Sequence, residues 1–133
     1  MIDHPALSPP HVLIVGAGPG IGASFARLAL ERGAQVTLSA RSASKLDQLK
    51  SALAADGDSV DTVVADAADP GALRETINDY ATECDVPIDC ALFNVSLWVP
   101  GGLDSDLDAI TEGLRAGVVA ALAMAQEIGR AHV

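Results

Sequence analysis

The sequence predicts an α/β fold in which a doubly wound parallel sheet carries helices on both faces. Short apolar runs, typical of buried strands, alternate along the chain with longer segments in which apolar residues recur at helical spacing. The apolar content is 50% but aromatic residues account for only 3%, so Ala, Val and Leu build most of the core. A chain of 133 residues is long enough to bury one such core.

The first strand and the first helix are predicted on either side of a glycine-rich segment. His11 to Val15 is a short apolar run that ends at glycine, as a buried strand does. The helix is predicted over 21–32, because apolar residues recur there every three or four positions. Gly33 is a natural end for this helix.

A strand over 34–39 and a helix over 42–55 form the second pair of elements. Ser42 is a suitable N-cap for this helix. Gly57 follows its end. Its leucines fall on one face: Leu46, Leu49 and Leu53.

A strand over 60–65 and a helix that begins at Asp69-Pro70 form the third pair. Aspartate caps helices, and proline suits the first helical position. Leu73, Ile77 and Tyr80 share the apolar face of this helix, so we predict that Tyr80 packs in the core.

The fourth strand is predicted over 88–95, and a loop at Pro100-Gly101-Gly102 separates it from a long alanine-rich helix over 104–131. Right-handed crossovers between parallel strands then imply the strand order 3-2-1-4, with a crevice where the order reverses. Residues 1–10, which include three prolines, are predicted to form a flexible N-terminal arm, and residues 11–133 one domain.

Charge and residue spacing exclude several classes of function. Lys and Arg number 8 against 18 Asp and Glu, a net charge of −10, so neither nucleic acid nor an anionic membrane is expected as a partner. Neither a signal-peptide pattern nor a long apolar run is present, so a cytoplasmic protein is expected. The cysteines and histidines have no metal-ligand spacing: Cys84, Cys90, His4, His11 and His132.

The segment from Gly16 to Gly22 lies where a strand-to-helix turn would bind phosphate. Glycines let the backbone turn tightly and let a diphosphate approach it, and the helix N-terminus offers N–H groups to the anion. A P-loop would need Lys and Ser or Thr in register, and the common Gly-x-Gly-x-x-Gly spacing fails at Ile21. The spacing that fits is Gly-x-x-x-Gly-x-Gly, which is formed by Gly16, Gly20 and Gly22. A tight turn without a ligand is the alternative.

This spacing, with Ile21 before the last glycine, resembles the turn of the short-chain dehydrogenase/reductase family. The resemblance covers the chain from His11 onward and implies a Rossmann-type domain that binds NAD(P). It also implies that Asp66, with Ala67 beside it, bonds the adenine amino group, a turn carboxylate being the alternative. Asn94 matches a residue that helps to place the cofactor. The turn residues expected at the cofactor are Gly16, Gly18, Pro19, Gly20, Ile21 and Gly22.

Two residues after Asn94 depart from the family pattern. Val95 and Ser96 stand where the family usually has Ala-Gly. The backbone at this strand end is therefore expected to lie less close to the cofactor than it does in the family.

The residues after the second strand, Ala40-Arg41-Ser42, favour NADP over NAD. Many dinucleotide folds place an acid here to bond the ribose 2′-hydroxyl, whereas arginine forms a charge-assisted, forked bond with a 2′-phosphate. Arg41 and Ser42 are therefore candidate cofactor-binding residues. The missing acid also argues against a flavoprotein or a methyltransferase. A solvated surface arginine is the alternative for Arg41.

The family's catalytic residues, a Ser and a Tyr-x-x-x-Lys pair, are not found. The only tyrosine is Tyr80, four residues before Cys84, and the family's helical Asn would fall near Gly117. The resemblance therefore implies the N-terminal half of a truncated or longer oxidoreductase, inactive alone. Its full-length parent would transfer hydride at a carbonyl or alcohol carbon of a small-molecule substrate. The alternative is a non-catalytic nucleotide-binding module or truncated pseudoenzyme.

In the family the long helix commonly forms a dimer interface. Here it carries small residues suited to close packing, namely Ala120, Ala121, Ala123, Met124 and Ala125. A homo-oligomer that associates through this C-terminal helix is therefore predicted. Burial of the helix against its own sheet is the alternative.

Overall fold

The computed structural model describes residues 8–54, 59–84 and 87–131, which form a parallel sheet with helices on both faces. In chain order the elements are β1 (His11–Val15), α1 (Ile21–Glu31), β2 (Gln35–Ala40), α2 (Ala43–Leu53), β3 (Val60–Val64), α3 (Pro70–Glu83), β4 (Cys90–Phe93), α4 (Leu107–Leu114), a π-helical turn (Arg115–Val119) and α5 (Ala120–Ala131). Most of the predicted arm lies outside the described residues, as do His4, Ala55, Gly57 and His132. No helix in the described ranges is long and apolar enough to cross a membrane.

The sheet has the order β3-β2-β1-β4, as the sequence predicts. β1 is central and pairs in parallel with β2, from His11 opposite Gln35 to Val15 opposite Ser39. On its other side β1 pairs with β4, which ends with Phe93 opposite Val15. Because the chain returns from β3 past β1 to form β4, a crevice opens where the strand order reverses.

Two apolar clusters lie on opposite faces of the sheet, because side chains alternate along each strand. Val12 and Ile14 of β1 pack with residues of α1 and α2. Leu13 and Val15 face the other way and pack with residues of α3 and α5. Full burial of each such side chain contributes about 1.5–3 kcal/mol to folding.

Side chains cap α2 and α3 at the residues that the sequence predicts. Ser42 Oγ accepts the N–H of Lys45 at 3.4 Å. Asp69 Oδ1 accepts the N–H of Ala72 at 3.1 Å, and Pro70 follows at the first helical position. Each cap satisfies an amide that has no partner within its own helix.

The long helix predicted over 104–131 is present as a continuous helical segment, but it begins three residues later and is not α-helical throughout. The helix begins at Leu107, because the Asp106 carboxylate caps it by accepting the N–H of Ala109 at 3.3 Å. It is then interrupted by the π-helical turn, which holds Gly117 at its centre. Glycine has a weak helical preference, and a π turn accommodates one extra residue without ending the helix.

Several other predicted boundaries are wrong by one or two residues. The strand predicted over 88–95 is shorter because its ladder with β1 begins at Cys90 and ends at Phe93. Ser42 and Arg32 lie just outside their helices as N-cap and C-cap. The remaining differences are the bounds of β2, which is shifted by one residue, of β3, which ends at Val64, and of α2, which ends at Leu53 with Ala54 as its C-cap.

Candidate functional site

A cavity of about 250 Å³ lies at the carboxyl ends of the strands, where parallel α/β folds bind their ligands. Its wall combines the start of the glycine turn with the segments that follow β2, β3 and β4, and it includes one residue of the π-helical turn. The lining residues are Val15, Gly16, Ala17, Ala40, Arg41, Ala65, Asp66, Ala67, Ala68, Asn94, Val95, Ser96, Leu97 and Ala116.

Backbone hydrogen bonds hold the glycine turn against the neighbouring strands. The N–H groups of Gly16 and Ala17 both donate to the carbonyl oxygen of Ser39, at 2.9 and 3.0 Å. On the other side, the N–H of Asn94 donates to the carbonyl oxygen of Val15 at 2.8 Å. The mouth of the crevice is therefore built from ordered backbone, which preserves its shape before any ligand arrives.

Two glycines of the turn are required by the packing of the chain itself. Gly16 has a φ of +82°, and a Cβ there would lie 2.6 Å from the carbonyl oxygen of Asn94. A Cβ at Gly22 would lie 3.2 Å from the Cα of Ala17. No side chain fits at Gly16, and Gly22 allows the turn to lie close to the first turn of α1. These two glycines alone are no evidence for a ligand.

The other two glycines of the turn face open space. A Cβ at Gly18 or Gly20 would meet no described heavy atom within 4 Å beyond its chain neighbours, and neither residue has a positive φ. Ile21 is 69% exposed although it is apolar. Packing among the described residues therefore leaves room for a side chain at these two positions, and with glycine there the backbone is open to a ligand.

The N-terminus of α1 differs from those of α2, α3 and α4. Ser42, Asp69 and Asp106 cap those three helices with side-chain oxygens. Among the described residues none caps α1 with a side chain, and its N-cap position is Gly20. The positive end of the helix dipole thus lies at a bare glycine turn, an arrangement that attracts an anion.

Arg41 and Ser42, which the sequence assigns together, have different surroundings. Arg41 is exposed and lines the cavity. Ser42 does not line it, because its hydroxyl caps α2 and contacts Ser44 Oγ at 3.2 Å. The arginine therefore lies at the cavity, whereas the serine hydroxyl caps a helix.

Asp66 and Ala67 line the cavity at the end of β3. One carboxylate oxygen of Asp66, Oδ1, accepts the N–H of Ala68 at 2.9 Å. This bond fixes the carboxylate in the turn, as the structural alternative for Asp66 requires. The other carboxylate oxygen, Oδ2, takes no part in this bond.

The structure brings only some of the predicted site residues to the cavity. Gly16, Arg41, Asp66, Ala67 and Asn94 line it. The rest of the turn, residues 18–22, lies outside its lining. Sequence reasoning missed Ala116, which reaches the cavity from the π-helical turn, a feature without a pattern in the sequence.

A second polar cluster lies toward the amino end of the strands, away from the cavity. His11 is buried, and its Nε2 lies 2.8 Å from Thr37 Oγ1 and 3.1 Å from the Tyr80 hydroxyl. Cys84 Sγ lies 3.7 Å from His11 Nδ1. Tyr80 packs beside the apolar cluster, and burial raises its pKa to about 12 although its hydrogen bond with Thr37 opposes the shift.

No group of three or more candidate metal ligands was found among the described residues. The buried strand that begins at His11 was predicted, but the contacts of the His11 side chain had no signal in the sequence, since its polar partners come from distant segments.

The chain is similar to known oxidoreductases over most of its length. A family model described as short chain dehydrogenase matches residues 10–131. Gluconate 5-dehydrogenase of Gluconobacter oxydans (strain 621H) is 34% identical over 100 residues, which cover 72% of this chain and 38% of that protein. 3-Dehydrosphinganine reductase TSC10A of Arabidopsis thaliana is 36% identical over 85 residues, which cover 63% of this chain and 24% of that protein.

Solved structures share the fold. A gluconate 5-dehydrogenase from Burkholderia cenocepacia J2315, in complex with NADP and tartrate, has a TM-score of 0.82 and 26% identity, covering 93% of this chain and 49% of that one. A short-chain type dehydrogenase/reductase from Mycobacterium marinum also has a TM-score of 0.82, with 29% identity over 94% of this chain and 51% of that one. The chain therefore spans about half the length of these structures.

Proposed function

The chain belongs to the short-chain dehydrogenase/reductase family, and we propose that it forms the NADP(H)-binding part of such an oxidoreductase. In a full-length parent, the nicotinamide cofactor would transfer hydride at a carbonyl or alcohol carbon of a small-molecule substrate. The residues of this chain would bind and orient the cofactor. The substrate itself is not part of this proposal.

The proposal rests mainly on Gly18 and Gly20, which face open space at the N-terminus of α1, where no side chain caps the helix. Gly18 and Gly20 have no internal packing reason to lack a side chain. Their absent side chains leave the backbone accessible where the helix dipole favours an anion. A diphosphate bound there would make use of both features together, since it would rest on the open backbone and accept the free N–H groups of the helix.

The remaining parts of a dinucleotide would follow the wall of the cavity. Asp66 would accept a hydrogen bond from the adenine amino group through Oδ2. Arg41 would pair with the 2′-phosphate of NADP, because its guanidinium group attracts that phosphate. The end of β2 carries no Asp or Glu that would repel the phosphate. Asn94, after β4, would contact the cofactor near the reversal of strand order. The NADP-bound gluconate 5-dehydrogenase of the same fold supports this choice of cofactor.

A titration with NADPH and with NADH tests this proposal. We expect the wild-type chain to bind NADPH more tightly than NADH, and Arg41→Ala to weaken NADPH binding at least about tenfold while changing NADH binding little. Arg32→Ala is the matched control, because Arg32 is also exposed but does not line the cavity. Equal, weak binding of both nucleotides by the wild-type chain would contradict the preference for NADP.

A non-catalytic nucleotide-binding module is the second candidate. The only tyrosine of the sequence, Tyr80, lies in the polar cluster with His11 and Thr37 rather than at the cavity. Cavity-lining residues include no tyrosine or lysine that could move a proton to a substrate oxygen. Binding of NADPH without turnover by this chain is expected of both candidates. A coding sequence that continues into a Ser and a Tyr-x-x-x-Lys pair would favour the first candidate over this one.

We also propose that the chain self-associates through α4 and α5, but not through all of the small residues expected at the contact, since Ala120, Ala123 and Met124 are buried within the chain itself. Large apolar side chains of this helical segment are exposed, at intervals of three or four residues: Leu107, Ile110, Leu114, Val118 and Leu122. Such a stripe resembles the contact face of a helix that packs against another helix.

A further inference from the structure

The wall of the cavity consists mainly of very small residues. Half of its lining is glycine or alanine: Gly16, Ala17, Ala40, Ala65, Ala67, Ala68 and Ala116. A wall of this kind lets a flat ligand lie close to the backbone. Val15 is also part of the lining, but it is only 2% exposed and therefore presents little surface.

Val95 interrupts this small-residue wall. Among the described residues that line the cavity it is the one β-branched side chain that is half-buried rather than fully buried. Its Cγ2 methyl would lie only 2.8 Å from a Cβ at Gly16, so it stands directly beside the first glycine of the turn. It also packs against the apolar cluster of α3 and α5, which limits its freedom to move aside.

We propose that Val95 limits how deeply a dinucleotide seats in the crevice and is thus an affinity-determining residue of this chain. This inference rests on the proposed NADP(H)-binding function. Val95 lines the cavity together with the start of the glycine turn, and its Cγ2 methyl lies beside Gly16, where close approach of a ligand to the backbone is needed. Because Val95 lies beside the turn and not beside Arg41 at the end of β2, it acts on NADPH and NADH alike.

A size series at this position tests the inference with NADPH and NADH as probes. We expect Val95→Ala to tighten the binding of both nucleotides at least about fivefold, with an unchanged ratio between them. Val95→Thr, which keeps the shape of valine, changes affinity less than about twofold, and Val95→Phe weakens it more than about tenfold. Val64→Ala is the matched control. Val64 is the last residue of β3 and so lies at the carboxyl ends of the strands, as Val95 does, but it does not line the cavity.

The outcomes separate this inference from the function on which it rests. If the wild-type chain binds NADPH and Val95→Ala binds it no better, the role of Val95 is overturned while the proposed function stands. If neither protein binds either nucleotide, both fail together. Thermal unfolding of each variant, followed by circular dichroism, establishes that differences in affinity arise in folded protein.

Discussion

Four glycines lie between β1 and α1, and their surroundings divide them into two pairs. A Cβ at Gly16 or Gly22 would meet backbone atoms of the chain itself, at 2.6 and 3.2 Å. A Cβ at Gly18 or Gly20 would point into open space. A sequence motif presents these glycines as equivalent, but the structure separates those that serve folding from those that leave room for a ligand.

Alanine substitutions should separate the two roles. We expect Gly16→Ala to destabilise the fold by about 3 kcal/mol or more, because it combines a positive φ with a steric clash. Gly18→Ala should change the free energy of unfolding by less than about 0.5 kcal/mol but weaken NADPH binding at least about tenfold. Urea unfolding and NADPH titration measure the two effects. Full NADPH affinity in Gly18→Ala would refute the assignment of this glycine to the ligand.

The half-buried phenol of Tyr80 predicts a specific alkaline instability. Its pKa is raised from 10.0 to about 12, mainly by burial, so the folded state holds the phenolic proton more tightly than the unfolded chain does. The resulting stabilisation is fully present below pH 10 and is lost as the pH rises from 10 to 12. We expect Tyr80→Phe to lose less stability than the wild type over this interval, as measured by urea unfolding at each pH.

The direct titration of Tyr80 provides an independent check. Because the sequence contains a single tyrosine, the ultraviolet absorbance of phenolate reports this residue alone. A midpoint near the ordinary value in folded protein would contradict the environment described for the hydroxyl.

Tyr80 also shows which of its contacts could be predicted from the sequence and which could not. Helical spacing predicted that Tyr80 packs in the core, and it does lie beside the second apolar cluster. Its hydrogen bonds to Thr37 and His11 join residues 43 and 69 positions apart. No local pattern reports such contacts, since they depend on which residues the sheet and α3 place together.

At the scale of elements, a charged cluster joins α3 to α5. Glu127 of α5 is only 6% exposed, and its Oε1 lies 2.9 Å from Arg74 Nε on α3, with Arg130 on its other side. A carboxylate this deeply buried is stable only while its charge is paired. The cluster thus holds the C-terminal helix against α3, and with it the π-helical turn that lines the cavity.

Removal of the Glu127 charge should weaken this attachment. We expect Glu127→Gln to lower the free energy of unfolding by about 1–2 kcal/mol, less than for a fully buried pair because both arginines are partly exposed. Glu112→Gln, at an exposed position of α4, should change it by less than about 0.5 kcal/mol. Urea unfolding compares the two variants, and equal stabilities would show that the cluster contributes nothing.

The order of the helices and strands was easier to predict than the residues at which they begin and end. Caps such as Asp69 are local signals, so the start of α3 could be read directly from the sequence. The ends of β4 depend on its pairing with β1, and the π-helical turn has no periodic signature. Ser42 shows a further limit, because the same residue type suits both a helix cap and a phosphate ligand, and the structure shows only the cap.

At the scale of the whole molecule, the sheet order could be predicted because few topologies satisfy the alternation of strands and helices. Parallel pairing and right-handed crossovers leave the order 3-2-1-4 as the simplest arrangement, and the structure has it. That order then determines which loops meet at the crevice. The cavity-lining positions of Arg41, Asp66 and Asn94 follow from topology, although their side-chain contacts do not.

The exposed apolar stripe on α4 and α5 is a feature of the whole surface rather than of one site. Leu107 is 76% exposed, Leu114 55% and Val118 64%, whereas the opposite side of the helical segment includes the buried Ala116 and Ala120. An isolated exposed leucine is ordinary, but a contiguous stripe of large apolar side chains marks an interaction surface.

Sedimentation velocity tests whether this stripe joins copies of the chain. We expect wild-type protein to sediment as a dimer or larger species, with the fraction of monomer increasing on dilution. The double variant Leu114→Glu with Val118→Glu places two charges in the contact and should sediment as a monomer, because each charge would lose its hydration on association. Arg115→Glu makes the same change in net charge at a side chain that is already polar, and it should leave association largely intact. A wild-type chain that sediments as a monomer at every concentration would refute self-association, and equal dissociation in the control would show that net charge, rather than the apolar stripe, governs it.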